Sequence, residues 1–120
     1  MIQSSKNTFI KVNIMDSEKQ RLRKAKRLME RHPDHYPIVV TPDNLKMTTV
    51  KFLPHKESSV GEFMRCIRGY TQKLKETDAL LLFVEGIMPP MTCTIGELYT
   101  SYASPDGYLH VKLSRESTFG

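Results

Sequence analysis

Four histidines and two cysteines are the side chains of this 120-residue chain with the most chemistry to offer. His32 and His35 flank Pro33-Asp34, a spacing that lets both rings and the Asp34 carboxylate approach one metal ion. No cysteine or further histidine clusters there, and a structural metal asks for a fuller ligand set, so two solvated loop histidines are the better reading. Cys66 sits beside Ile67 in an apolar stripe and reads as a half-buried small apolar residue. Cys93 stands just ahead of a helix start, a place where a thiol pKa can fall. No histidine with a telling motif follows it, and a nucleophile without a base is a poor catalyst. The six glycines are isolated, and neither GxGxxG nor GxxxxGK occurs. Glu76 and Asp78 flank a turn and read as solubilising charges. No set of residues carries a reaction; the sequence reads as that of a binding protein without a cofactor or metal.

The bulk numbers set the frame for such a protein. At 120 residues the chain is one domain, and a domain of this length buries roughly two-thirds of its unfolded surface, enough for a core without disulfides. Hydrophobic residues make up 39% and charged residues 26%, which argues against wholesale disorder. With no CxxC pair and no signal peptide ahead of the cysteines, a reduced cytosolic or nuclear setting is expected. The longest apolar run, Ala79 to Val84, is strand-sized and far from the roughly 20 residues that span a bilayer. The net charge of +5 is concentrated. Lys19, Arg21, Arg23, Lys24, Lys26, Arg27 and Arg31 face only Glu18 and Glu30 between residues 17 and 32, and the rest of the chain is neutral. A solvated helix face is the plain reading; an acidic partner or an anionic membrane are sharper ones. Nucleic acid is excluded as the weakest, because no aromatic residues interleave with the basic ones.

The elements follow from periodicity and punctuation. Phe9, Ile10, Val12 and Ile14 fit either a short strand or a mobile arm, and the sequence leaves both open. Ser17 or Asp16 caps a helix running to about Arg31, with Leu22, Ala25, Leu28 and Met29 as its apolar stripe and Pro33 as its stop. Tyr36 to Thr41 reads as a strand, Pro42-Asp43-Asn44 as a turn, and Met47 to Leu53 as a hairpin partner. Pro54 closes that partner and marks it as a strand at or near a sheet edge. Ser59 and Glu62 form a capping box, and Phe63, Ile67, Tyr70 and Leu74 continue as one helical face. Asp78 to Val84 is expected to be a central strand buried on both faces. Ile87-Met88 is a short strand ended by Pro89-Pro90. Thr94 and Glu97 box a short helix, and Pro105-Asp106-Gly107 turns into Tyr108 to Leu113. There Leu109, Val111 and Leu113 alternate with Tyr108, His110 and Lys112. A hairpin, a long helix and two further long strands are the β-grasp order, with the first helix as an addition. Three segments result: an arm at 1–16, a domain at 17–113 and a flexible tail at 114–120.

The strings Pro33-Asp34-x-x-Pro37-Ile38-Val39-Val40, Val60-Gly61-Glu62-Phe63, Asp78-Ala79-Leu80 through Phe83-Val84, Ile87-x-Pro89-Pro90, Thr94-Ile95-Gly96-Glu97-Leu98-Tyr99 and Ser114-x-Glu116-Ser117-Thr118-Phe119-Gly120 carry a resemblance in their order and spacing. From about residue 18 onward the chain resembles the autophagy ubiquitin-like modifiers, the family that includes GABARAP and the microtubule-associated protein light chains. The resemblance implies an α+β, ubiquitin-like β-grasp: a mixed four-stranded sheet crossed by a long helix, with an N-terminal helical extension.

It also implies a function and a set of residues. Gly120, after Phe119, would be taken up by an activating enzyme and a conjugating enzyme and amide-linked to phosphatidylethanolamine, moving the protein from the cytoplasm to the autophagosome membrane. A terminal glycine lacks a Cβ, which suits threading through a narrow enzyme channel. Family precursors often carry further residues removed by a cysteine protease, so a chain ending at Gly120 is either born mature or shown processed. The second implied activity is docking of cargo-receptor motifs of the form aromatic-x-x-aliphatic, added as a strand to the exposed edge of the second strand of the hairpin. Leu28, Pro37, Leu53 and Tyr108, with Lys51 above them, would line the aromatic pocket; Phe52, Pro54, Phe63, Cys66 and Ile67 would line the aliphatic one. Phe63 and Ile67 read equally as core. Lys24 stands where the family frequently has an acidic residue, which shifts motif preference. The alternative is a peptide- or microtubule-binding module of the same fold that is not conjugated.

Overall fold

Ser17 opens the first helix of the computed structural model, which describes residues 7–11 (as backbone), 17–45, 47–70 and 78–117. Its hydroxyl accepts from the Gln20 N–H, and the Gln20 side chain accepts from the Ser17 N–H in return. This reciprocal cap satisfies donors that a helix start otherwise leaves open. The helix, α1, spans Glu18–Arg31 and ends where the His32 N–H reaches the Leu28 carbonyl. Two further capping boxes stand where the sequence places them. Ser59 and Glu62 exchange bonds of 2.9 and 3.1 Å ahead of α2, Val60–Tyr70. Thr94 and Glu97 do the same ahead of α3, Ile95–Tyr102.

The strands are β1 (Asn7–Lys11), β2 (Ile38–Pro42), β3 (Val50–Pro54), β4 (Asp78–Phe83) and β5 (Leu109–Ser117). They form one mixed sheet in the order β1-β3-β2-β5-β4. The β2–β5 pair is parallel and the others are antiparallel. The four-stranded β-grasp sheet is therefore present, with β1 added outside β3.

Alternation along the strands divides the side chains between two layers. Ile38, Val40, Val50, Phe52, Leu80, Leu82, Leu109, Val111 and Leu113 pack on one face against Val60, Phe63, Met64 and Ile67 of α2 and Ile95 and Leu98 of α3. The opposite face carries Val39 and Tyr108, which pack with Ala25, Leu28 and Met29 of α1. α1 approaches the sheet closely at one point. Gly107, with φ of +85°, turns the chain into β5 beneath it, and a Cβ there would lie 2.8 Å from the Ala25 Cβ.

Three expectations are corrected and one open choice is resolved. β4 is the edge strand beyond β5, with alternating burial, because Ala79, Leu81 and Phe83 are only half-buried on their face. Ile87-Met88 is no strand: Val84 and Ile87 exchange two backbone bonds across a two-residue turn, with Glu85 and Gly86 both at positive φ. β5 does not stop at Leu113 but runs on to Ser117, which pairs with Asp78, so residues 114–117 are strand and not flexible tail. Residues 7–11 of the arm are a strand, which resolves the choice the sequence leaves open. Asp16, Val12, Ile14, Leu74, Glu76, Phe119 and Gly120 lie outside the described residues.

Candidate functional site

β3 is the axis of the candidate site, and its alternation sorts the ten residues assigned to two pockets. Lys51 is the register partner of Val39 and so belongs to the α1 face. Leu53 follows Lys51 by two and Pro37 precedes Val39 by two, which puts both on the same face. Tyr108 and Leu28 complete that set in the α1 cluster. Phe52 is the partner of Ile38 and belongs to the α2 face, with Pro54 two residues on. Phe63 and Ile67 pack there from α2, and the Phe52 and Phe63 rings meet edge to face at 5.4 Å. Cys66 rides half-buried on the same helix. The two expected pockets therefore flank one strand, one on each face of the sheet.

Pro37, Phe52, Leu53, Pro54, Phe63, Ile67 and Tyr108 are all buried, and Leu28 and Cys66 are half-buried. Lys51 is the unusual member at 7% exposure. Its Nζ donates to the Tyr108 hydroxyl at 2.9 Å and lies 4.8 Å from the centre of that ring, so the buried ammonium has both a hydrogen-bond acceptor and a π face. Outside it, Lys24, Arg27, Leu28, Arg31 and Lys51 line a cleft of about 210 Å³ between α1 and β3. Four cations around one leucine give that cleft a positive potential suited to an acidic ligand. Arg27 and Arg31 come from the basic run of the first helix, so their number is legible in the sequence, but their convergence on β3 is set by how α1 docks.

That docking is fixed by a polar cluster that sequence reasoning missed. Asp106 is 5% exposed and accepts from Arg21 Nε of α1 at 2.9 Å and, at 2.8 Å, meets His110 Nε2 of β5. Its other oxygen accepts the Tyr108 N–H at 3.0 Å. Burial alone would raise this carboxyl's pKa. The bonds from His110, the Tyr108 amide and Arg21 outweigh it and hold the group below the usual carboxylate range. The only sequence signal was the Pro105-Asp106-Gly107 turn, which says nothing of Arg21.

The residues with reactive side chains converge less. The Cys93 thiol is pushed up by burial and by the Glu97 carboxylate beside it, opposite to the fall expected at a helix start. The rings of His32, His35 and His55 neighbour one another, with centroids 5.8 and 5.1 Å apart. Among the described residues no group of three His, Cys, Asp or Glu side chains could hold a metal ion. No described helix is long and apolar enough to cross a membrane.

The sequence model of the family described as "Autophagy protein Atg8 ubiquitin like" matches residues 20–120. The chain belongs to the Atg8 family. As a member it is a ubiquitin-like autophagy protein and not itself an enzyme. Autophagy-related protein 8 of Schizosaccharomyces pombe is 30% identical over 108 residues, 87% of this chain and 88% of that one. Autophagy-related protein 8d of Arabidopsis thaliana is 30% identical over 105 residues, 84% of this chain and 87% of that one. The crystal structure of Trypanosoma brucei ATG8 superposes with a TM-score of 0.78 at 28% identity, covering 90% of this chain and 96% of that one. Plasmodium falciparum Atg8, solved with a Plasmodium falciparum Atg3 peptide, gives 0.72 at 25% identity, over 84% of this chain and 92% of that one. β1 of the present Atg8 lies ahead of the stretch that the family model matches.

Proposed function

We propose that this Atg8 is conjugated through Gly120 to phosphatidylethanolamine on the autophagosome membrane and there docks cargo receptors through aromatic-x-x-aliphatic motifs. The observation that carries the docking half is the placement of the two residue sets on opposite faces of β3. An extended strand alternates its side chains, so residues three apart point to opposite faces. A peptide laid along β3 would send its aromatic residue toward the α1 face and its aliphatic residue toward the α2 face, which is what the three-residue spacing requires. The cations of the α1–β3 cleft would receive acidic residues next to the aromatic one.

The conjugation half rests on the family match, which takes in Phe119 and Gly120. The partners are an activating enzyme, a conjugating enzyme and a processing cysteine protease; the Atg3 peptide on the Plasmodium relative supports the second of these. The test is mass spectrometry of the carboxy terminus from starved cells, beside a Gly120→Ala variant. A phosphatidylethanolamine amide on Gly120, absent from the variant, is the expected result. A free carboxylate throughout, with unchanged membrane localisation of the variant, replaces this reading with that of an unconjugated peptide- or microtubule-binding module.

A further inference from the structure

A strand can be added to β3 on one side only, because β2 holds the other. That side is occupied by the chain itself. β1 runs antiparallel along the whole of β3, from Asn7 opposite Pro54, through Phe9 opposite Phe52 and Ile10 opposite Lys51, to Lys11 opposite Val50. The edge expected to be exposed for a peptide is therefore filled by a peptide segment of the same chain. We infer that β1 is a built-in competitor for the docking edge, so that a ligand reaches β3 only by displacing residues 7–11. This rests on the docking reading above and adds its regulation.

Three features support competition over plain edge protection. The segment has a ligand's spacing without a ligand's register, which leaves it a weak occupant. Phe9-Ile10-Lys11-Val12 places an aromatic and an aliphatic residue three apart, but Phe9 stands opposite Phe52, at a position of the α2 face where a ligand's aliphatic residue belongs. It is tethered, with only residues 12–16 between β1 and the Ser17 cap of α1. A tether that short gives an effective concentration on the order of millimolar, so a segment of only sub-millimolar intrinsic affinity stays docked. It is also poorly matched to the charge of the site. Asn7-Thr8-Phe9-Ile10-Lys11 has no carboxylate and adds a lysine, whereas the cleft beside β3 is lined by Lys24, Arg27, Arg31 and Lys51. An incoming acidic peptide gains an attraction that β1 forgoes. The arm thus sets a threshold: the apparent Kd of every ligand is its intrinsic Kd divided by the fraction of molecules whose edge is open, so at a given concentration acid-bearing motifs clear it and merely apolar ones do not.

The experiment uses the full chain and a fluorescein-labelled peptide with a Trp-x-x-Leu core preceded by three glutamates, plus the same peptide with glutamines. A Phe9→Pro/Ile10→Pro double variant removes a β1 amide donor whichever residue faces β3. Hydrogen exchange on the unliganded wild type reads protection of residues 8–11, and retained protection of β4 and β5 shows that the variant folds. The expected result is protected β1 amides in the wild type that lose protection when the acidic peptide binds. The double variant should bind both peptides about tenfold or more tighter, and by the same factor for each, since one open fraction scales both. Equal affinity of wild type and variant, with β1 protected in the wild type, overturns the competition and leaves peptide docking intact. No binding of either peptide to either protein, with β1 protected, overturns the docking reading, and β1 is then an ordinary edge cap.

Discussion

At the scale of single residues, Gly107 and Asp106 decide how α1 sits. Gly107 combines a positive φ with a neighbour that leaves no room for a methyl group. Gly107→Ala is expected to cost about 2 kcal/mol, by left-handed strain and by overpacking against Ala25 and Leu22. A urea midpoint unchanged from wild type would remove that role. Asp106 makes the acid limb of stability readable. Its folded pKa lies below the unfolded value, so its contribution is complete above about pH 4 and is lost as pH falls through the folded pKa. Between pH 4 and 2 the wild type should lose stability faster than Asp106→Asn, and parallel urea-versus-pH curves would contradict this. Arg27 and Arg31 are exposed residues that line the α1–β3 cleft. Reversing both to glutamate should weaken an acidic peptide roughly tenfold and flatten its salt dependence, without moving the melting temperature by more than a few degrees.

The elements differ in how far the sequence exposes them. The capping boxes of α2 and α3 and the inward face of β5 were legible because each rests on contacts within a few residues. β4 was misplaced because a continuous apolar run looks the same at the centre of a sheet as at its edge, and the run carries no sign of whether a second strand pairs beyond it. β1 was left undecided for a similar reason: five residues pair only because β3 offers an edge 39 to 47 positions further along. The two residue sets that the resemblance implies fall on opposite faces of β3, but the burial of most of them was not legible. The resemblance puts Lys51 above the aromatic pocket, but nothing in the sequence shows that its ammonium is buried against the Tyr108 hydroxyl. The cap of α1 gives a direct check at this scale. Ser17→Ala should cost about 1 kcal/mol and loosen the α1 side of β3, measured as faster hydrogen exchange in the first turn of α1 with α2 unaffected.

Over the whole molecule, the sheet sets the two proposed activities at different places in the strand order. The proposed docking edge lies at the β3 side, while β5 leads toward Gly120 between β2 and β4 at the other end of the strand order. A bound peptide and a conjugated terminus need not compete for the same surface. Where β5 runs past the end of β2, Asn44 takes over the role of a neighbouring strand: its side-chain nitrogen donates to the Arg115 carbonyl at 2.8 Å, and its oxygen accepts the Arg115 N–H at 2.6 Å. Asn44→Ala should accelerate exchange at Arg115 while leaving Val111 protected; equal rates would show that β4 alone holds the end of β5.

β5 is held to Ser117, and Gly120 follows three residues later in the sequence. Three residues span at most about 10 Å when fully drawn out, close to the distance over which salt lets surface charges act, about 8–10 Å. A lipid amide at Gly120 would therefore act as a short mooring and not a long line. The body would ride within electrostatic range of the headgroups, so membrane charge would bear on which way the docking edge faces.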